Sequence, residues 1–190
     1  MRRLAPLLCA IALGAACSEP PQKEIDRAQG AVDAARAAGA ERYATTEFGA
    51  ATSALDQARS AVAQRDYRLA LSKALDASER AQQAARQAAD GKARALSEAE
   101  RAIQTGTTSL QQLRTAIKVA EGARAPAQAL VAARQTALSA DAALQKARAQ
   151  IKAEQYLEAR DALQGIDTRI SAQIRTLNEA GRRAASRRKT

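Results

Sequence analysis

Large apolar side chains recur at seven-residue intervals along most of this 190-residue chain, and alanines fill the positions between them. A seven-residue spacing of apolar side chains is typical of helices that pack along a shared seam. Five such tracks are present: Ile25 and Val32; Phe48, Leu55 and Val62; Leu96, Ile103, Leu110 and Ile117; Leu130, Leu144 and Ile151; and Tyr156, Leu163, Ile170 and Leu177. The pattern predicts an all-α fold.

The composition agrees with helices and limits the width of the core. The chain has 52 alanines, three tyrosines, one phenylalanine, no tryptophan and no histidine. Alanine has the highest helix propensity, and the scarcity of β-branched and aromatic residues argues against a sheet. Because aromatic side chains supply much of the buried area in ordinary cores, we expect thin, closely packed helices. Without histidine, neither a Ser-His-Asp triad nor a His-ligated zinc site can be built. We therefore predict no enzymatic activity, no cofactor, no metal and no small-molecule substrate.

Slips in the seven-residue phase locate the turns between helices. Twice, successive large apolar positions lie five residues apart, which predicts tight turns at residues 65–66 and 154–155. Gly39 and the segment 122–126, which has glycine at one end and proline at the other, mark two further helix boundaries. We therefore predict five helices, over residues 22–38, 45–64, 66–121, 126–153 and 155–186.

The third of these helices sets the expected architecture. At 1.5 Å per residue it would be about 80 Å long, so it cannot fold back on itself and must be shared. We expect an elongated antiparallel helical bundle of coiled-coil type, in which two three-helix segments share one long central helix. The apolar seam thins at Asp90-Gly91, which is the weak point of that helix.

The first residues have the pattern of a secretory signal peptide. A basic start is followed by an apolar run over residues 4–16, which is too short to cross a bilayer as a helix. Leu13-Gly-Ala-Ala-Cys17 resembles the lipobox of bacterial lipoproteins, in which the cysteine is lipidated. Gly14 replaces the usual large aliphatic residue, which leaves signal cleavage after Ala16 and a soluble periplasmic protein as the alternative. We predict lipidation at Cys17 and an outer-membrane anchor that faces the periplasm.

The sequence around the two five-residue slips is repeated. Residues 54–70 align without gaps to residues 143–159 and share the pattern A-L-x-x-A-R-x-x-[VI]-x-x-x-x-Y-x-x-A. The steps that begin at Tyr67 and Tyr156 resemble the opening of the second helix in a tetratricopeptide hairpin. This resemblance implies a helical hairpin of the kind that docks protein partners.

Residues 34–89 resemble a family of bacterial lipoproteins that is known only as a domain of unknown function. The resemblance lies in an alanine-rich helical hairpin with an Ala-Gly-Ala turn at residues 38–40, followed by Tyr43-Ala44 and Phe48. Thr45-Thr46 stands where the family usually has Pro-Glu. The resemblance implies an envelope lipoprotein and supplies no activity.

Positive charge is concentrated near the end of the chain. The formal net charge is +10. Five positive charges lie close together near the carboxyl end, on Arg182, Arg183, Arg187, Arg188 and Lys189. No aromatic residue interleaves with them, and the signal sequence directs the chain out of the cytoplasm, so we predict no nucleic-acid binding. These five residues are instead candidate contacts for an anionic surface, such as lipid headgroups or cell-wall carboxylates. Covalent attachment to peptidoglycan through Lys189 is a weaker alternative, because Thr190 follows that lysine.

These observations give the following organisation: a signal peptide (1–16), a lipidated cysteine and tether (17–21), an N-terminal alanine-rich hairpin segment (22–90), a C-terminal three-helix segment (91–181) and a basic tail (182–190). We predict a bacterial cell-envelope lipoprotein that acts as a non-catalytic helical scaffold or spacer. The alternative is a tetratricopeptide-like periplasmic adaptor that binds a protein partner. The expected partners are the membrane, through the N-terminal lipid, and a second protein or a second copy of the chain.

Overall fold

The computed structural model describes residues 19–187, and this part of the chain is helical and contains no strand. The helices are α1 (Gln22–Ala37), α2 (Ala40–Tyr43), α3 (Thr45–Ala63), α4 (Tyr67–Gly122), α5 (Ala127–Lys152), α6 (Tyr156–Ala162) and α7 (Ile166–Ser186). The predicted all-α helical bundle is confirmed.

The long central helix is present as α4. It has 56 residues and continues through Asp90 and Gly91, where the sequence suggested a weak point. Gly106 lies inside α4 and is buried. A Cβ atom at Gly106 would lie 3.1 Å from Cδ2 of Leu144 on α5. The glycine therefore lets the side chain of Leu144 pack directly against the backbone of α4.

The prediction of one helix over residues 155–186 is wrong. Helix α6 ends at Ala162, and α7 begins at Ile166 after Gly165, which has a left-handed φ of 72°. A further short helix, α2, follows Gly39, whose φ is 86°. In both places a glycine takes a conformation that costs an L-residue about 1–2 kcal/mol.

The described part of the chain divides into two compact units that meet between Ala88 and Ala89, within α4. In the first unit, α1, α3 and the beginning of α4 enclose a narrow core. Its larger side chains are Ile25, Val32, Phe48 and Leu55, and the other core residues are all alanine.

The second unit has a core of larger side chains. The later part of α4, together with α5, α6 and α7, contributes Leu110, Leu113, Ile117, Leu144, Leu163, Ile166, Ile170 and Leu177. Alanines again fill the positions between these residues. On the edge of this core, the hydroxyl of Ser109 donates a hydrogen bond to the carboxylate of Asp167, which ties α4 to the start of α7.

The two units bury equivalent positions of the sequence. From Ala44 onward, a shift of 89 residues, the distance from Tyr67 to Tyr156, pairs ten buried residues of the first unit with ten buried residues of the second. The first set is Ala44, Phe48, Ala51, Leu55, Ala58, Ala70, Ala74, Ala77, Ala81 and Ala88; the second is Ala133, Ala137, Ala140, Leu144, Ala147, Ala159, Leu163, Ile166, Ile170 and Leu177. The repeat detected over residues 54–70 and 143–159 therefore extends well beyond those limits.

The first helix of each unit follows the same rule with a slightly shorter shift. Moving 85 residues along the chain, from Ile25 to Leu110, pairs the four core residues of α1 with four core residues of α4. These are Ile25, Ala28, Val32 and Ala35 against Leu110, Leu113, Ile117 and Ala120. Each unit is thus a version of one three-helix pattern.

Candidate functional site: an arginine-lined end of the second unit

The turn between α4 and α5 fixes the first residue of this site. Arg124 has a left-handed φ of 54°. Its N–H donates to the carbonyl of Glu121 at 3.0 Å, and the N–H of Ala125 donates to the carbonyl of Ala120 at 2.9 Å. This arrangement satisfies carbonyl groups that the end of a helix leaves unpaired. It holds the backbone of Arg124 at the end of the unit.

The same turn occurs at two other places in the chain. Arg65 has φ 60° and Glu154 has φ 58°. The N–H that follows each of these residues donates at 2.9 Å to the carbonyl five residues earlier. These are the two tight turns that the phase slips predicted, so the positions of both turns are confirmed.

The C-terminal part of α7 lies beside the turn that contains Arg124. Gly181 on α7 is buried, and a Cβ atom placed there would lie 3.8 Å from the Cβ of Ala123. The small residues at this crossing let the two segments approach closely. Arg182 and Arg183 belong to α7, and Arg187 follows its last residue. The fold thus brings Arg124 to the same end of the unit as three of the predicted basic residues.

Two open grooves flank the end of α7. The first, which we call the apolar groove, has a volume of about 530 Å³ and is lined mainly by small and apolar residues: Val119, Ala120, Ala123, Leu177, Asn178, Gly181, Arg182 and Ala185. The second, which we call the arginine groove, has a volume of about 540 Å³ and is lined by Arg124, Pro126, Ala180, Arg183, Ala184 and Arg187. Guanidinium groups therefore stand beside floors of alanine and glycine.

Three arginines elsewhere in this unit pair with carboxylates: Arg114, Arg134 and Arg160. Arg134 contacts Glu121 at 2.6 Å, and Arg114 contacts Asp141 at 3.2 Å. At the grooves, Arg183 forms an ion pair with Glu179 at 3.7 Å. Arg124 and Arg182 form no ion pair with residues 19–187. This end of the unit therefore carries an excess of positive charge.

The structure places the predicted site residues in different ways. Cys17, Arg188 and Lys189 lie outside the described residues. Arg182 and Arg183, which the sequence analysis assigned to the basic tail, are exposed and belong to α7.

Arg124 was missed by the sequence analysis, although the turn that contains it was predicted. It is separated from α7 by the whole of α5 and α6. A charge pattern along the chain does not bring it together with Arg183, because their proximity depends on how α7 packs. The basic residue in the predicted turn at 122–126 was the one signal that could have drawn attention to it.

A second charged cluster lies at the turn before α6. The ammonium group of Lys92 contacts Oε2 of Glu154 at 2.7 Å and lies 5.8 Å from the ring centroid of Tyr156. The hydrogen bond and the charge of Lys92 lower the pKa of Glu154 below its usual value. The three groups tie α4 to this turn on the surface of the second unit.

A comparable cluster occurs in the first unit. Nε of Arg36 donates to Glu41 at 2.9 Å, and this hydrogen bond is the main cause of a raised pKa for Arg36. The same guanidinium lies 5.4 Å from the ring centroid of Phe48. The cluster joins α1, α2 and α3, so these contacts are explained by the packing of the three helices.

Two searches of the described residues bear on other kinds of site. Within residues 19–187, no group of three or more His, Cys, Asp or Glu side chains is arranged to hold a metal ion. In the same part of the chain, no helix combines the length and the apolar character that a membrane span needs.

Comparison with known proteins finds one similarity, to a domain family. The search of curated proteins and the search of solved structures gave no match. Residues 23–105 match the family model of a domain of unknown function (DUF4398). The match takes in the helices of the first unit and the following part of α4. Over these residues the chain is therefore similar to an uncharacterised domain family.

Proposed function

We propose that this protein is a bacterial cell-envelope lipoprotein, anchored to the outer membrane through Cys17 and facing the periplasm, where it acts as a non-catalytic helical scaffold or spacer. The observation that carries the proposal is the unbroken helix α4. Its residues Ala74 and Ala81 belong to the core of the first unit, and Leu110 and Leu113 belong to the core of the second.

The shared helix supports a mechanical role because one helix contributes residues to the cores of both units. Linkers rich in glycine and serine behave as flexible coils, whereas helical segments act as semi-rigid spacers. Because α4 has core residues on both sides of Asp90, unwinding it there would disturb packing in both units. A scaffold that must transmit position along its length needs such a connection.

The anchor is supported by the sequence before the described residues. A basic start, an uncharged apolar run and the Leu-Gly-Ala-Ala sequence before Cys17 are features of lipoprotein signals. A single lipid chain gives only marginal membrane binding, whereas several chains on one residue give a stable anchor.

Metabolic labelling with palmitate tests the anchor. We expect the wild-type protein to incorporate label and to fractionate with the outer membrane. The Cys17→Ala variant should lose both the label and the membrane association. Cys9→Ala is the matched control, because it removes the other cysteine of the chain and should change neither property. Label that persists in Cys17→Ala would contradict the proposed anchor.

A break in α4 tests the scaffold. Proline in a helix interior disrupts the helix at a cost of about 3 kcal/mol, so Gly91→Pro should loosen the junction. In a strain that lacks the protein, we expect this variant to leave the envelope sensitive to detergent, whereas Gly91→Ala should restore the wild-type barrier. Equal complementation by both variants, at equal protein levels, would contradict the role of a continuous helix.

A second candidate function is a tetratricopeptide-like adaptor that binds a protein partner. The observation that favours it is the repeated turn before Tyr67 and Tyr156, each of which begins a helix. Such hairpins present one helix face to a partner. A photo-crosslinking residue at Leu71, which is exposed, should then capture a reproducible partner in intact cells. The same residue placed at Gln111 is the control, and equal capture from both positions would count against the adaptor.

A further inference from the structure

We propose that the arginine groove and the adjoining apolar groove form a docking site for an acidic segment of a partner protein. The site is independent of the lipid anchor, since it lies wholly within the second unit. It extends the proposed scaffold by giving this unit a binding surface of defined chemistry.

Charge complementarity is the first argument. Arg124, Arg183 and Arg187 line one groove, and Arg182 lines the other. The nearby carboxylate of Glu121 is engaged by Arg134 at 2.6 Å, and Glu179 contacts Arg183 at a long 3.7 Å. Arg124 and Arg182, which form no ion pair with residues 19–187, and Arg183, with its long contact, match a ligand that supplies several carboxylates. Arginine pairs well with carboxylates because its planar fork can donate two parallel hydrogen bonds.

The shape of the site favours a protein segment over a bilayer. Both grooves are concave, and their floors are formed by small residues such as Ala123, Gly181 and Ala184. A polypeptide can enter such a groove and place its own apolar side chains against the alanines. Helices that lie in a membrane interface instead carry several large apolar side chains that project outward. In the lining of the two grooves, Val119 is the one exposed residue of that kind.

The arginines that line the grooves are not part of the three-helix pattern that the two units share. A shift of 85 residues places Gly39 at the position of Arg124, and both have left-handed backbones. A glycine adopts this conformation without strain, whereas the second unit has an arginine that reaches the groove. The basic residues of α7 have no equivalent cluster earlier in the chain, because a shift of 89 residues leads back to Ala93, Arg94 and Glu98, on α4 just beyond the first unit. The shared three-helix pattern therefore does not account for the arginines.

Binding of synthetic peptides to the full mature protein tests the proposal. The probes are 14-residue peptides that carry four glutamates and four leucines on opposite faces of a helix, together with counterparts in which every glutamate is glutamine. Fluorescence anisotropy at 0.15 M salt should show binding of the glutamate peptides and at least tenfold weaker binding of the glutamine peptides. Equal binding of the two sets, or no binding of the glutamate set, would overturn the proposal.

A charge-matched pair of variants separates a built site from general attraction. The first combines Arg124→Gln, Arg182→Gln, Arg183→Gln and Arg187→Gln. The control removes the same charge from exposed positions of the same unit, with Lys146→Gln, Lys152→Gln, Arg169→Gln and Arg175→Gln. We expect the first to weaken peptide binding at least tenfold and the control to stay within about twofold of wild type. Similar losses in both variants, with unchanged circular dichroism, would mean that net charge alone drives the binding.

Filling the grooves distinguishes a seated segment from a surface contact. Ala184→Leu narrows the arginine groove, and Ala185→Leu narrows the apolar groove at an exposed position. Both should weaken the glutamate peptide at least fivefold without lowering the melting temperature appreciably. Vesicles that contain anionic phosphatidylglycerol, and inorganic phosphate as a competitor, complete the test. If vesicles bind in a way that depends on the four arginines while the peptides fail to bind, the surface belongs to a membrane contact and the proposal is overturned. If millimolar phosphate alone displaces the glutamate peptide, the binding is general attraction of anions and the proposal is overturned as well.

Discussion

The two units use one pattern of buried positions but fill it with side chains of different size. On the part of α4 that belongs to the first unit, the buried positions include Ala74, Ala77, Ala81 and Ala88; the equivalent positions of the second unit are Leu163, Ile166, Ile170 and Leu177. A buried alanine leaves room for the neighbouring backbone, whereas a buried leucine needs a partner surface further away. The pattern of burial is therefore compatible with both a narrow and a wider helical core.

This difference has an energetic consequence. Burial of each methylene group contributes about 0.8 kcal/mol, so the second unit gains more from the hydrophobic effect. The first unit depends more on helix propensity and on close contact between backbones. We expect amide hydrogens of the first unit to exchange faster than those of the second under native conditions. Slower exchange in the first unit would show that close packing of alanines stabilises it more than the larger apolar side chains stabilise the second unit.

The largest effect is expected from a cavity in the second unit. Leu110 is 3% exposed, and Leu110→Ala should lower the free energy of unfolding by about 2–4 kcal/mol. Urea denaturation followed by circular dichroism measures this change. Gln111→Ala, on the adjacent exposed position, is the control and should change stability by less than about 0.5 kcal/mol. Equal effects of the two substitutions would place Leu110 outside the core.

The reverse substitution tests the narrow core of the first unit. Ala81 is fully buried, and its counterpart Ile170 is also fully buried. Ala81→Leu should destabilise the first unit by about 1–3 kcal/mol, because a closely packed core cannot accept the added volume without strain. Ile170→Leu conserves volume and should cost less than about 1.5 kcal/mol. A neutral or stabilising Ala81→Leu would mean that the first unit has unused space.

The glycine turns should be less sensitive than the cores. Gly39 and Gly165 have left-handed φ values of 86° and 72°. Gly39→Ala and Gly165→Ala should each lower stability by about 1 kcal/mol, because a Cβ atom is strained in this conformation. Gly30→Ala is a suitable control, since it lies in the interior of α1 with open space around it and should stabilise the helix. Thermal denaturation distinguishes the opposite signs.

At the turns that lack glycine, we expect substitution to change stability in the opposite direction. Arg65 and Glu154 occupy the same left-handed conformation, with φ 60° and 58°. Arg65→Gly should raise stability by about 0.5–1 kcal/mol, because relief of strain exceeds the added entropy of the unfolded chain. Arg68→Gly, within the first turn of α4, should lower it by a similar amount. If both substitutions destabilise, the hydrogen bonds of the turn rather than the backbone conformation determine its stability.

Sequence periodicity located most helices because alanine-rich seams have a strong seven-residue phase. It failed at Gly165 for a specific reason. Leu163 and Ile170 are seven residues apart and both are buried, so the break between α6 and α7 leaves the phase intact. The candidate site was predicted in part for a similar reason. The basic residues of α7 are close in sequence, whereas Arg124 joins them only through packing.

The smallest expected effect concerns the surface cluster at Glu154. Lys92 lowers the pKa of this carboxylate below its ordinary value of 4.5. A carboxylate with a lowered folded-state pKa contributes stability above its unfolded pKa and loses that contribution as the pH falls through the folded value. Lys92→Gln should therefore reduce the stability difference between pH 7 and pH 3, as measured by thermal denaturation at low salt. Because the side chains of Lys92 and Glu154 are 41% and 66% exposed, 1 M salt should remove most of the difference. Lys146→Gln is the control, and a matching change in that variant would show that the acid sensitivity comes from net charge.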